Sequence, residues 1–173
     1  MKILVSACIL GQEVRWNGRA KKDVDIREWA HKMGFEIVSV CPEHVMFGTP
    51  RRPIKLEDYD GEVRAIMGRE DVTDKLKAEA KRIRCRHKDV VGFIGVAKSP
   101  TCGHSAGVRK VGKLVKGAMH EGAPFPTTEI NSMRTARGRT EFLDRIVRYI
   151  TFNSGAINNK SSKTTKETTK TKT

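Results

Sequence analysis

The sequence predicts an α/β fold, a single Rossmann-like three-layer domain around a mostly parallel sheet, followed by a disordered C-terminal tail. Three observations carry the prediction. Runs rich in aliphatic and β-branched residues at 2–7, 36–40 and 90–97 are too short for helices and read as strands. The segments between them place apolar residues at helical spacing, the alternation expected of βαβ units. At 173 residues the chain suits one domain with a substantial apolar core. The domain is expected over 1–153 and the tail over 154–173.

The first strand, Lys2-Ile3-Leu4-Val5-Ser6-Ala7, runs into Cys8 and a loop that reaches the turn dipeptide Asn17-Gly18. Val24, Ile26, Trp29, Ala30 and Met33 share one side of a helix that stops at Gly34. The second strand follows and ends at Cys41. From 41 to 53, Pro42, Gly48, Pro50 and Pro53 predict irregular, rigid backbone of the kind that frames a site. A hairpin is expected within 54–67, turning at Asp60-Gly61. Leu76, Ala80, Ile83 and His87 define a helix from about 71 to 87, with Cys85 near its end. The third strand comes next and is followed by Lys98-Ser99-Pro100-Thr101-Cys102. Further helices are expected over 112–121 and 139–150, the latter burying Phe142, Leu143, Ile146 and Ile150, and Pro124 and Pro126 break the chain between them.

The formal net charge is +14. The stretch 160–173 holds five lysines, one glutamate and no aliphatic or aromatic side chain, a composition that predicts disorder. Most of the positive surplus therefore belongs to the rest of the chain. A basic domain favours an anionic partner such as RNA, a nucleotide or an acidic substrate, although solubility alone accounts for such a charge equally well. No stretch approaches the roughly 18 consecutive apolar residues of a membrane span, and no charged-then-apolar leader opens the chain. A cytoplasmic location is expected, where thiols stay reduced and serve metals or catalysis more often than disulfides. The sequence has no Walker loop, no G-x-G-x-x-G and no H-E-x-x-H, so phosphate-cradling and zincin chemistry lack support.

Cys8, Cys41 and Cys102 each follow the end of a strand-like run. Ligands of parallel sheets bind at the carboxyl ends of the strands, so the three thiols would converge on one edge. Three soft sulfur ligands at a cleft point to a metal or iron–sulfur site with one coordination position open. Any one of them, taken alone, reads more readily as a small buried hydrophobe. Their flanks favour the site: Pro42 and Glu43 beside Cys41, and Ser99, Pro100, Thr101 and Gly103 around Cys102. Cys85 has no such flanks, lies toward the opposite edge and reads as structural. Zinc stays open as an alternative, with His44 or His104 as a fourth ligand, although no C-x₂-C pair is present and each histidine reads more readily as exposed.

Five motifs occur in order: Ser6-Ala7-Cys8-Ile9-Leu10-Gly11, Val40-Cys41-Pro42-Glu43, Gly48-Thr49-Pro50-Arg51-Arg52-Pro53, Asp71-Val72-Thr73 and Lys98-Ser99-Pro100-Thr101-Cys102-Gly103. In these the chain closely resembles the thiouracil desulfidase family from Lys2 to about Gly103. A weaker likeness continues from Pro124 to Tyr149, where Thr127-Thr128-Glu129 and Arg139, Phe142 and Arg145 look like the closing segment of longer, two-domain relatives. The resemblance implies a [4Fe-4S] cluster held by Cys8, Cys41 and Cys102, its fourth iron free for the sulfur of a thiolated pyrimidine. It further implies exchange of C=S for C=O with release of sulfide and no net redox change. Glu43 would be general base or proton shuttle, and Ser99 would orient substrate or intermediate. Plainer roles compete: Glu43 as a loop carboxylate paired with Arg51 or Arg52, and Ser99 as a turn-forming hydroxyl. The chain departs from the family at Trp16-Asn17, where relatives commonly have Tyr-Asp, at Thr101 in place of Ser, and in the short basic segment carrying Arg109, Lys110, Lys113 and Lys116.

The leading expectation is a desulfidase acting on thiouracil, a thiouridine nucleotide or thiolated RNA. An RNA-binding module with buried or zinc-bound cysteines competes, but only 6% of residues are aromatic and none alternates with basic residues as a stacking surface requires. Sulfur insertion into tRNA ranks lower, for want of a phosphate loop.

Overall fold

The computed structural model describes residues 1–23 and 25–164, with side chains as far as Ser154. The elements up to the central crossover are β1 (Lys2–Ser6), α1 (Asp25–Lys32), β2 (Glu36–Val40), α2 (Pro42–Phe47), β3 (Ile54–Tyr59), β4 (Glu62–Met67), β5 (Glu70–Asp71) and α3 (Thr73–Arg86). After them come β6 (Val90–Gly95), β7 (Ala106–Gly107), β8 (Leu114–Val115), β9 (Thr127–Glu129), α4 (Ile130–Met133) and α5 (Ala136–Thr164).

Alternation along the strands explains the three layers. Successive side chains of β1 point to opposite faces. Leu4 joins Val40 and Phe93 under Leu76, Ala80 and Ile83 of α3 and Ile54, Leu56 and Ala65 of the hairpin. Ile3, Val5 and Ile94 pack on the other side against Ile26, Trp29 and Ala30 of α1 and Phe142 and Ile146 of α5. The sheet runs β2-β1-β6-β9, every pair parallel. From β1 the chain leads to β2 on one side and later to β6 on the other. That reversal opens a crevice beyond the carboxyl ends of the strands. The hairpin turns as expected: Asp60 and Gly61 take φ of 53° and 89°, the left-handed pair that a two-residue turn requires.

Three expectations need correction and a fourth gains detail. Residues 41–53 are not irregular throughout, because α2 starts at Pro42. A proline at the first helical position loses no hydrogen bond, so it begins a helix where it would break one further in. Met33 does not share the buried side of α1; it lies beyond the helix and is exposed. The stretch 112–121 is not helical. Gly112 has φ 64°, Met119 N–H donates to the Thr101 carbonyl (2.9 Å) and Gly117 N–H to that of Gly103 (2.9 Å), so its backbone is tied to the Cys102 loop and keeps only a single turn of its own, where the Gly117 carbonyl accepts from His120 and Glu121 N–H. Thr127–Glu129, expected only as a closing segment, supplies the outer strand β9.

The last helix buries Phe142 and Ile146 fully, Leu143 and Ile150 in part. Its backbone continues through 154–164, the first part of the expected tail; the remainder, 165–173, lies outside the described residues. Among the described residues no helix is long and apolar enough to cross a membrane.

Candidate active site

β1, β2 and β6 are neighbours in the sheet, and Cys8, Cys41 and Cys102 come from the loops that leave their carboxyl ends. The ends of β1 and β2 are tied by the Ala7 N–H donating to the Val40 carbonyl at 2.8 Å. All three thiols line one cavity of about 290 Å³, near the lower end of the usual range for ligand pockets. Cys85 is exposed near the end of α3 and does not line it. His44 and His104 do not line it either. The first pairs its Nδ1 with Thr49 Oγ1 (2.8 Å), and the second borders a separate groove with Glu129 and Arg145.

Each thiol has its own support. Cys8 sits in a tight turn, its carbonyl accepting from Gly11 N–H (3.3 Å) and Lys21 N–H (2.9 Å). Cys41 precedes the first turn of α2, and its Sγ approaches the Val14 carbonyl at 3.7 Å. Cys102 lies in a loop folded around Ser99, whose Oγ accepts from Thr101 N–H (3.2 Å) and Cys102 N–H (3.0 Å). Beneath that loop there is no room for side chains. A Cβ on Gly95 would overlap the Cys102 carbonyl oxygen, and one on Gly117 would stand 2.7 Å from the Thr101 oxygen. The buried His120 pins the same carbonyl, its Nε2 2.9 Å from Cys102 O.

Burial governs the electrostatics. It pushes the Cys8 thiol up to about 11, and the neighbouring Cys41 adds to the shift. Cys41 is also raised, burial outweighing the His44 amide at the start of α2. Cys102 is raised further by burial, with Glu43, Cys41 and Cys8 contributing, against a lowering influence from the Ser6 hydroxyl. Cys41 thus acts on Cys8, and both act on Cys102, across one cavity.

Glu43 and Ser99, the expected catalytic pair, meet there. Glu43 Oε2 accepts from Arg51 Nη2 (2.7 Å) and Nε (3.2 Å), whereas Oε1 faces Ser99 Oγ at 3.5 Å. The guanidinium is 5% exposed and also reaches the carbonyls of Val14 and Gly48, each at 3.0 Å. The plainer roles for both residues are therefore real. Arg51, and not Arg52, is the partner of Glu43, and Ser99 does build a turn.

Sequence reasoning missed several cavity residues. Trp16 lines it with 43% of its surface exposed, and Arg15, Lys21 and Lys98 lie along the same wall. Trp16 was visible as a departure from Tyr, but nothing in the sequence fixed its direction. Lys98 is brought in by a left-handed backbone (φ 63°), which no local pattern announces. Asn17 does not line the cavity; its Oδ1 accepts from Arg19 N–H (3.3 Å), so the family's usual aspartate is replaced at a turn position. Ser6 does line it, with a buried Oγ that has no partner in hydrogen-bond geometry among the described residues, an omission that ordinarily costs about 1–3 kcal/mol.

The family model of 2-thiouracil desulfurases matches residues 3–131. A solved structure of TudS, a [4Fe-4S]-dependent thiouracil desulfidase, superposes with a TM-score of 0.60 at 25% identity, covering 77% of this chain and 93% of that one. No curated protein matches the chain.

Proposed function

The chain belongs to the 2-thiouracil desulfurase family, and from that premise we propose that it is a [4Fe-4S]-dependent desulfidase replacing C=S by C=O in a thiolated pyrimidine. The observation that carries the reading is the convergence of Cys8, Cys41 and Cys102 on one cavity at the ends of three adjacent parallel strands. The donor set suits a cluster better than a single ion. Among the described residues, three cysteine sulfurs and no histidine line the cavity. A lone zinc needs all its ligand atoms within about 2.0–2.3 Å of one centre, whereas a cluster distributes three thiolates over three irons. Cys8, Cys41 and Cys102 would hold it as thiolates, and when bound it supplies a Lewis-acidic iron for a soft sulfur.

The remaining steps fall to the chain's own side chains. Glu43 keeps Oε1 free of Arg51 and takes a proton from the water that attacks the thiocarbonyl carbon. Arg51 fixes that carboxylate and ties it to the Val14 loop beside Cys41. Ser99 directs its hydroxyl toward the same carboxylate and orients the substrate. One water supplies the oxygen, and its two hydrogens leave with the sulfur as hydrogen sulfide, so no electron is gained or lost. Trp16 offers a face for the pyrimidine ring. Glu43, the single carboxylate among the cavity residues, is engaged by Arg51, so Arg15, Lys21 and Lys98 meet no free carboxylate there and would outweigh the small net negative charge of a cluster held by three thiolates. That excess favours a substrate bearing phosphate, a thiouridine nucleotide or thiolated RNA, alongside free thiouracil.

The test is metal and sulfide content after purification without oxygen, combined with turnover of thiouracil. About four irons per chain with matching sulfide, and sulfide released from thiouracil, are expected. Cys8→Ser, Cys41→Ser and Cys102→Ser should each lose iron and activity, and Cys85→Ser should keep both. Stoichiometric zinc, or full activity in a Cys102→Ser variant, would overturn the reading.

A further inference from the structure

Ser6 is the last residue of β1, and its side chain shares the sheet face of Leu4. Leu4 belongs to the same apolar cluster as Cys102. The serine is 2% exposed, lines the cavity and has no hydrogen-bond partner for Oγ among the described residues. Unpaired buried hydroxyls are rare in native proteins, and a bound ion or ligand is one of the few things that accounts for one at a cavity. The candidate borders the same cavity: Ser6 and Cys102 both line it, and the Ser6 hydroxyl pulls the Cys102 thiol down against the effect of burial. A neutral thiol is a weak acceptor, whereas a thiolate accepts a short, charge-assisted hydrogen bond. A cysteine holds metal as the thiolate, so a bound cluster would offer Ser6 Oγ the strong acceptor that it lacks among the described residues.

We propose that Ser6 is a positioning residue for the cluster: its hydroxyl donates to the metal-bound sulfur of Cys102, fixing that ligand and drawing electron density from it. The inference rests on Cys102 being a cluster ligand, as proposed above. Hydrogen bonds to ligand sulfurs are among the determinants of cluster potential. A donor favours the electron-rich reduced form, so its removal makes reduction harder. The bonding of the sulfur to iron changes at the same time.

The experiment compares Ser6→Ala and Ser6→Thr with the wild type, all purified without oxygen and with intact clusters. Iron content, midpoint potential and the iron–thiolate stretching bands are measured. Ser6→Ala is expected to retain its iron, to show a more negative potential and to shift one iron–thiolate band. Ser6→Thr keeps a hydroxyl at the same carbon and is expected to return both quantities toward wild-type values. An iron-replete Ser6→Ala protein with unchanged potential and bands overturns the proposal. If Ser6→Ala fails to load, the threonine variant decides. A loaded threonine variant at wild-type potential supports the hydroxyl's role, and a threonine variant as empty as the alanine one shows that side-chain volume is what matters. Wild-type protein without iron would instead sink the cluster assignment itself, so the two failures are distinct.

Discussion

Glu43 shows how two readings that compete in sequence can coexist in space. Its Oε2 is held by Arg51 in a buried ion pair, while Oε1 is directed at Ser99 and the cavity. In the proposed mechanism the pair is a scaffold for Oε1. A neutral amide at this position keeps an acceptor for Arg51 yet cannot take a proton from water. Glu43→Gln is therefore expected to load iron normally and to lose turnover by roughly 10²- to 10⁴-fold, the usual contribution of a general base. Iron content and the rate of sulfide release on one preparation check this. A variant with full iron and more than a tenth of wild-type turnover would return Glu43 to the role of a structural carboxylate. At this scale the cysteines were legible because strand ends can be read from short apolar runs. Trp16, Lys98 and Ser6 were not, since their importance depends on where a loop, a left-handed residue and a strand end are aimed.

Elements made of local pattern were read well and elements made of tertiary contact were not. Apolar periodicity gave β1, β2, β6, α1 and α3, and the Asp60-Gly61 dipeptide gave the hairpin. The stretch 112–121 misled because its helix-like composition is overridden by hydrogen bonds to the Cys102 loop, whose partners lie ~14 to 18 residues away in sequence. The short strand β9 escaped because three residues carry too little periodicity. What places Cys102 is thus a backbone-on-backbone contact between the end of β6 and its following loop, made possible by Gly95. Gly95→Ala is expected to push the Cys102 carbonyl out of position, with an overpacking cost of about 1–3 kcal/mol. Lower thermal stability together with reduced iron per chain would show that strand end and ligand loop act as one unit. Wild-type melting and full iron would refute the contact's importance.

Across the whole molecule the charge is uneven in consequence rather than in amount. Many surface cations, such as Lys2, Lys32 and Arg137, stand beside carboxylates and largely cancel. At the cavity the cations outnumber the carboxylates, and the single carboxylate lining it is engaged by Arg51. A field focused in a cleft attracts anions, and salt weakens it over a screening length of about 10 Å at 0.1 M. Free thiouracil is uncharged near neutral pH in its main form, so it does not feel that field strongly. A thiouridine monophosphate does. Raising salt from about 50 to 200 mM should therefore increase the KM for the nucleotide and leave that for the free base nearly flat. Lys98→Ala should reduce the nucleotide's salt response while sparing kcat on the base, because Lys98 acts on charge and not on the reacting sulfur. Equal salt responses for the two substrates would mean that the cations at the cavity serve solubility alone. The substrate would then be selected by the ring and its sulfur, without help from a phosphate.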